Sequence, residues 1–376
     1  MSSIYIHIPY CKKLCYYCDF YFSLQLNTKQ DYIAAVCKEL VLQKDFFSDT
    51  TTINTIYFGG GTPSVLSIHE IETILHTIAT LWTISEDAEI TFECNPDDIT
   101  KEYCQELLHI GINRTSVGIQ SFFDNELLAL NRRHTAKQAI SSIQLIKDAG
   151  FKNCTIDVIY GLPSQTLETW GKTLEIAADL SIQHISAYAL SVEEKTALYS
   201  FVSKGKIILP QEQTVIEQFT YLIEWAHENN FEHYEISSFA KPGFYSQHNS
   251  LYWEQKPYLG VGASAHSYDG SVRYWNIAHN KKYISNIFQG NIPHNQEKLT
   301  LSDAFNEYIM TGLRTKKGVS FTYIKNTFPN NYFVTFTSQI KTYKKQGLLT
   351  ETNGIVQLTQ KGVCISNSII SDLFIV

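Results

Sequence analysis

The sequence predicts an α/β fold: an open, three-quarter barrel of six βα units followed by a small C-terminal winged-helix-like α+β module. Three observations carry this. Short β-rich runs alternate with longer helical stretches over the first half of the chain. Polar residues stand just where the apolar strands stop. After Pro293 the pattern changes to helices closed by a hairpin.

The units follow in order. Ile4–Ile8 is the first strand, with a helix near Lys29–Lys44. Thr55–Phe58 is the second, ending in Gly59-Gly60-Gly61-Thr62-Pro63, with a helix at Ile68–Leu81. Glu89–Cys94 precedes a helix at Lys101–His109. Arg114–Ile119 precedes helices at Asp124–Leu130 and Ala136–Ala149. Thr155–Tyr160 precedes a helix at Leu167–Leu180, and His184–Leu190 is the sixth strand. Right-handed crossovers make such a sheet parallel. Six units are too few for a closed eight-stranded barrel, and periodicity alone does not separate an open barrel from a doubly wound sheet. The polar strand ends favour the barrel, whose ligand groups gather at that face: the glycine run, Glu93, Gln120 and Asp157.

The segment from Pro257 through Ser267 is rich in small residues and is expected to end the barrel region, giving domains 1–292 and 293–376. In the second, helices are expected at Ser302–Leu313, Phe321–Asn326 and Phe333–Gln346, then a hairpin around Asn353-Gly354, a strong turn pair. From Glu297 onward nine Lys and Arg face five Asp and Glu. That mild basicity suits nucleic acid, but no base-reading cluster accompanies it. A structural or lid role is favoured, with a DNA-binding regulator as the weaker alternative.

The net charge of −7 argues against a general nucleic-acid binder and against an anionic membrane surface. No basic segment followed by an apolar one opens the chain, and no apolar run reaches membrane-spanning length. A cytoplasmic protein is expected.

The chemistry is concentrated in Cys11, Cys15 and Cys18, spaced C-x3-C-x2-C. Three thiolates hold three irons of a 4Fe-4S cubane and leave the fourth open. A zinc site wants four ligands. His7 is the available fourth, but it lies in a strand-like run and no second knuckle follows. Cys37, Cys94, Cys104, Cys154 and Cys364 are scattered singly, unlike a disulfide framework. The Gly59–Thr62 run lets backbone approach a ligand or take positive φ. It lacks the Lys-Ser/Thr of a phosphate loop, and a simple turn explains it too.

The cysteine spacing is the signature of radical S-adenosylmethionine (SAM) enzymes, in which the open iron chelates SAM. With Gly-Gly-Gly-Thr-Pro-Ser, Gly111–Phe122 (GINRTSVGIQSF) and Ile156–Pro163 (IDVIYGLP), the chain resembles the oxygen-independent coproporphyrinogen oxidase family. The resemblance implies a radical SAM barrel with the cluster on Cys11, Cys15 and Cys18. It implies a SAM site lined by Tyr5, Tyr17, Gly60, Gly61, Thr62, Glu93, Gln120, Arg132 and Asp157. Glu93 and the glycine loop would take the methionyl ammonium, Arg132 a carboxylate and Asp157 the ribose hydroxyls. Arg133 is an adjacent competitor for Arg132.

One departure is informative. Dehydrogenases of the family resemble C-x3-C-x2-C-x-C with an N-terminal extension. Here Phe20 stands at the last cysteine position, and the first strand begins almost at once. Both differences resemble the heme-chaperone (HemW-like) branch, as does His248-Asn-Ser-Leu-Tyr-Trp253. That resemblance implies bound heme, an acceptor hemoprotein and a heme donor as partners, and His248 near the heme. Read on its own, His248 is more readily a structural histidine in a loop, with Tyr252 and Trp253 filling the core. The alternative function is oxidative decarboxylation of two coproporphyrinogen III propionates to vinyl groups.

Overall fold

The computed structural model describes residues 2–48 and 50–375. Its centre is a sheet of parallel strands in sequence order: β1 (Ser2–Ile8), β2 (Thr52–Gly60), β3 (Thr83–Cys94), β4 (Arg114–Gln120), β5 (Asn153–Tyr160) and β6 (His184–Ala189). All six lie where the sequence placed them, several starting two to six residues earlier. The crossover helices are α1 (Lys29–Leu42), α2 (Ile68–Leu81), α3 (Lys101–His109), α4 (Asp124–Ala129), α5 (Ala136–Ala149) and α6 (Leu167–Asp179).

Local chemistry sets the helix starts. Ser67 with Glu70, and Thr135 with Gln138, form capping boxes that satisfy the first free amides of α2 and α5. Gly150 closes α5 at φ 113°, a left-handed turn that glycine adopts without penalty. Leu, Ile, Val and aromatic side chains of the strands pack against the inner faces of these helices as one core running from Ile4 to Ile287.

The sheet is larger than six strands. Two helices, α7 (Ala197–Ser203) and α8 (Glu212–Glu228), lead to an antiparallel extension beside β6, made of β7 (Glu232–Glu235) and β8 (Ser238–Ala240). A short helix, α9 (Gln247–Trp253), follows. The segment expected to end the barrel instead continues the sheet: β9 (Tyr258–Val261) pairs parallel to β1. Its small residues are required by packing, since a Cβ on Gly260 would meet the His266 carbonyl oxygen at 1.9 Å. β10 (His266–Tyr268), β11 (Val272–Asn276) and β12 (His294–Lys298) add antiparallel strands, with α10 (Asn280–Phe288) between the last two. Among the described residues the sheet stays open, with β12 and β7 at its edges.

Buried Glu39 of α1 fastens this added edge. It accepts from Gly262 N (2.8 Å), Asn276 Nδ2 (2.7 Å) and the Tyr283 hydroxyl (2.5 Å).

The C-terminal module has its own core, from Phe305 to Leu373. α11 (Leu301–Leu313), β13 (Val319–Ser320), α12 (Phe321–Thr327) and α13 (Asn330–Lys345) precede a hairpin of β14 (Leu349–Thr352) and β15 (Ile355–Leu358). Asn353 and Gly354 turn it at φ 53° and 75°, the paired positive φ of a type I′ turn. Two short helices end it, α14 (Gln360–Val363) and α15 (Ser366–Asp372). The module joins the barrel through Lys316 N to the Tyr234 carbonyl (2.9 Å), Ile236 N to the Arg314 carbonyl (2.8 Å) and the Arg273–Glu307 ion pair (2.8 Å).

Candidate functional site

One cavity of about 570 Å³ opens at the C-terminal ends of the parallel strands. Cys11, Cys15, Cys18, Tyr17, Gly60, Gly61, Thr62, Glu93, Gln120, Arg132 and Asp157 all line it. These residues come from the loop after β1, from the ends of β2, β3 and β4, from within β5 and, for Arg132, from the turn between α4 and α5, so the strand order assembles most of the site. Tyr5 and His248 are not among the lining residues.

The cysteine loop is fixed at its base and across its middle. Cys11 N donates to the Ser23 carbonyl (3.0 Å), and Ser23 N donates to the Pro9 carbonyl (2.5 Å). Tyr16 N donates to the Leu130 carbonyl (3.1 Å), and Asn131 Nδ2 donates to the Leu14 carbonyl (2.6 Å). All three cysteines line the one cavity, although among the described residues no three Cys, His, Asp or Glu side chains are grouped as metal ligands as they stand. Burial pushes the Cys11 thiol up, and it pushes Cys18 up to about 11. A metal centre must displace those protons to bind.

Donors already point at the sulfurs. Thr62 Oγ1 donates to Cys11 Sγ (3.4 Å), and Arg132 Nη1 donates to Cys15 Sγ (3.4 Å). Asn95 joins the two, donating to Thr62 Oγ1 (3.3 Å) and accepting from Arg132 Nη2 (2.8 Å). Such contacts tune a cluster's potential. Arg132 Nη2 also reaches the Gly118 carbonyl (2.8 Å), while its buried Nε has no partner. Arg133 turns away onto Asp97 (2.6 Å) and lines no part of the cavity. Of the two adjacent arginines, Arg132 is the one that lines the cavity.

The glycine run does two jobs. Gly60 sits at φ 113°, which favours glycine. A Cβ on Gly61 would meet the Pro9 carbonyl carbon at 2.9 Å and Cys11 Sγ at 3.0 Å. Gly61 thus lets strand β2 slide under the cysteine loop, a close approach within the chain itself.

Glu93 on β3 and Asp157 on β5 both face the cavity from either side of β4. Burial, then the charge of Asp157, raises Glu93 to about 8; its bond from Tyr57 (2.8 Å) opposes that only in part. Burial raises Asp157 to about 6, partly offset by hydroxyls including Ser116 Oγ at 3.2–3.3 Å. Two carboxyls that resist ionisation are matched to a ligand bringing positive charge. Gln120 ends β4 at φ 65°, a strained conformation for a non-glycine residue, which folds its side chain back over Gly118. Tyr17, half-buried, lines the cavity near Arg132; burial raises its hydroxyl and the arginine's charge opposes that.

Two expected residues lie one layer behind. The Tyr5 ring stacks on Tyr57 at 6.0 Å, with its hydroxyl 3.2 Å from His7 Nδ1. His7 Nε2 faces the Tyr21 carbonyl (3.1 Å), so both ring nitrogens are used and His7 is no fourth metal ligand. His248 is 1% exposed. Its Nδ1 lies 2.8 Å from Thr55 Oγ1 and its Nε2 2.8 Å from the Tyr252 hydroxyl. As folded, His248 is enclosed, with both ring nitrogens hydrogen-bonded, and does not line the cavity. Of its motif, Asn249 is the residue that reaches the cavity.

The residue types fit a cluster and SAM: three thiols on one cavity, an arginine with an unsatisfied buried donor, and two raised carboxyls. Sequence reasoning missed Asn95, Tyr57, Arg114, Ser116, Ser186, Tyr188 and Asn249 of the lining. The i, i+2 spacing of Arg114 and Ser116 on an apolar strand was the available signal.

Comparison with known proteins agrees. A radical SAM superfamily profile matches residues 5–177, and a HemN C-terminal domain profile matches residues 299–365. A protein of Lactococcus lactis named heme chaperone HemW is 34% identical over 368 residues, covering 98% of this chain and 96% of that protein. Its namesake in Bacillus subtilis is 34% identical over 375 residues, covering 98% of each. The structure of coproporphyrinogen III oxidase (HemN) from Escherichia coli superposes with TM-score 0.86 over 99% of this chain and 90% of that one, at 24% identity, a likeness of fold. Site geometry, both profiles and near full-length identity agree that the chain is a radical SAM protein and belongs to the HemW heme-chaperone family.

Proposed function

We propose that this protein is a cytoplasmic heme chaperone that carries a 4Fe-4S cluster and SAM and passes heme to an acceptor hemoprotein. The observation that carries the reading is the single cavity holding Cys11, Cys15 and Cys18 beside Arg132, Glu93 and Asp157, in a chain collinear with relatives named heme chaperones. Bound there, the cluster and SAM supply one-electron chemistry; the chain supplies position and exclusion. Cys11, Cys15 and Cys18 would ligate the cluster. Arg132 would pair with a carboxylate through its forked donors. Glu93 and the Gly60–Thr62 backbone would accept from the amine, and Asp157 from ribose hydroxyls. Tyr17 and Gln120 would shape the walls.

Heme is cargo in this reading, obtained from a donor and given to an acceptor, and no heme iron is assigned to His248. Residues 1–292 would form the working barrel and 293–376 a structural module. That module lines no part of the cavity, which speaks against a lid. Nucleic acid is not a partner in this reading. Among the described residues no helix is long and apolar enough to cross a membrane.

The test compares two activities of anaerobically reconstituted protein. Heme is expected to bind and move to an apo-hemoprotein, and coproporphyrinogen III with SAM and a reductant is expected to stay unchanged. Formation of protoporphyrinogen would replace the chaperone reading with the dehydrogenase one.

A further inference from the structure

The His248-Asn-Ser-Leu-Tyr-Trp253 motif forms α9, and its histidine is turned inward. Thr55 and Tyr57, two apart on β2, share the barrel's inner face. Thr55 Oγ1 holds His248 Nδ1 at 2.8 Å, and the Tyr57 ring lies against His248 with centroids 5.0 Å apart and planes inclined by 31°. Tyr5 packs on the same pair, 6.0 Å from Tyr57 and 6.4 Å from His248. The Tyr57 hydroxyl then donates to Glu93 Oε1 at 2.8 Å.

The helix is tied down at its start as well. Glu89 accepts from Gln247 N (3.0 Å) and His248 N (3.1 Å) and faces Arg114 Nε at 3.8 Å. A neutral imidazole offers one donor and one acceptor, and the Thr55 and Tyr252 hydroxyls take both. Iron ligation would break one of these bonds and open an enclosed core.

Resting on the SAM reading of the cavity, we propose that His248 is a positioning residue of the SAM site. It backs the Tyr57 ring, and Tyr57 holds the Glu93 carboxyl facing the cavity. The motif therefore serves SAM geometry from behind, and the heme iron takes its ligand elsewhere.

The experiment uses the full chain with reconstituted, reduced cluster. SAM is titrated against the cluster's electron paramagnetic resonance signal, and heme uptake is followed by absorbance in parallel. Tyr57→Phe removes the bond to Glu93 alone, and its SAM affinity is expected to fall about tenfold. His248→Ala is expected to fall by a similar factor, with a heme spectrum like the unsubstituted protein's. His248→Gln, which keeps a donor and an acceptor, is expected to recover part of the SAM affinity. Unchanged SAM titrations in Tyr57→Phe and His248→Ala overturn the proposal. So does a His248→Ala variant whose heme spectrum is lost while SAM binding is intact. If His248→Ala does not fold, Thr55→Val, which removes the hydroxyl at His248 Nδ1, takes its place in the comparison. A cluster signal in the unsubstituted protein that ignores SAM removes the SAM reading itself, and the positioning role with it.

Discussion

Replacing Glu93 by glutamine is expected to stabilise the cluster-free chain while weakening its hold on SAM. In the folded chain Glu93 is raised from 4.5 to about 8, first by burial and then by Asp157. Between those values the folded chain keeps a proton that the unfolded chain releases. Stability is therefore greatest at the acid end and falls as pH rises towards 8. A separation of about 3.5 pH units, at about 1.4 kcal/mol each, sets a ceiling of about 5 kcal/mol. Glutamine leaves a buried amide whose unmet hydrogen bonds cost about 1–3 kcal/mol, so the gain at pH 8 is placed at about 2 kcal/mol. For a chain of this size that is a rise of roughly 2–5 °C in Tm. The assay is thermal unfolding of cluster-free protein from pH 5.5 to 8.5, for both chains. The unsubstituted chain is expected to lose Tm towards pH 8, and Glu93→Gln to flatten the upper part of that slope. With the cluster rebuilt, the same variant is expected to bind SAM about tenfold more weakly, having lost an anionic acceptor. A flat pH profile in the unsubstituted chain, or a variant that melts lower at every pH, would refute the reasoning.

Two further outcomes are expected. Arg132→Ala lowers SAM affinity at least about tenfold, through loss of a forked charged donor, while Arg133→Ala, whose guanidinium sits on Asp97, changes it less than about threefold; equilibrium binding on reconstituted protein separates them. Glu39→Leu strands the Gly262 amide, Asn276 and the Tyr283 hydroxyl in the core and costs about 3–5 kcal/mol, read by denaturant unfolding.

Much of the barrel was legible because its strands and helices alternate with clear periodicity, and polar residues mark the strand ends. Glu93, Gln120 and Asp157 declared themselves as isolated polar groups at the ends of apolar runs. The cysteine spacing did the same for the loop after β1. The added strands were harder. Tyr258–Val261 and His266–Tyr268 are too short to show a period, and their small residues resemble a linker until Gly260 is seen against the His266 carbonyl. Asn95 was hidden for another reason: its two partners, Thr62 and Arg132, lie more than thirty residues away in either direction. The direction His248 faces also depends on a distant residue, Thr55. Sequence spacing reports which face of an element a residue shares, but not what that face meets.

The central claim is an iron left without a protein ligand among Cys11, Cys15 and Cys18, within reach of the cavity that Arg132, Glu93 and Asp157 line. Mössbauer spectroscopy of anaerobically reconstituted, iron-57-labelled protein measures it directly. The expected result is a 4Fe-4S cluster with one distinct iron site whose parameters move when SAM is added. Four equivalent sites indifferent to SAM, or stoichiometric zinc in place of iron, would contradict it.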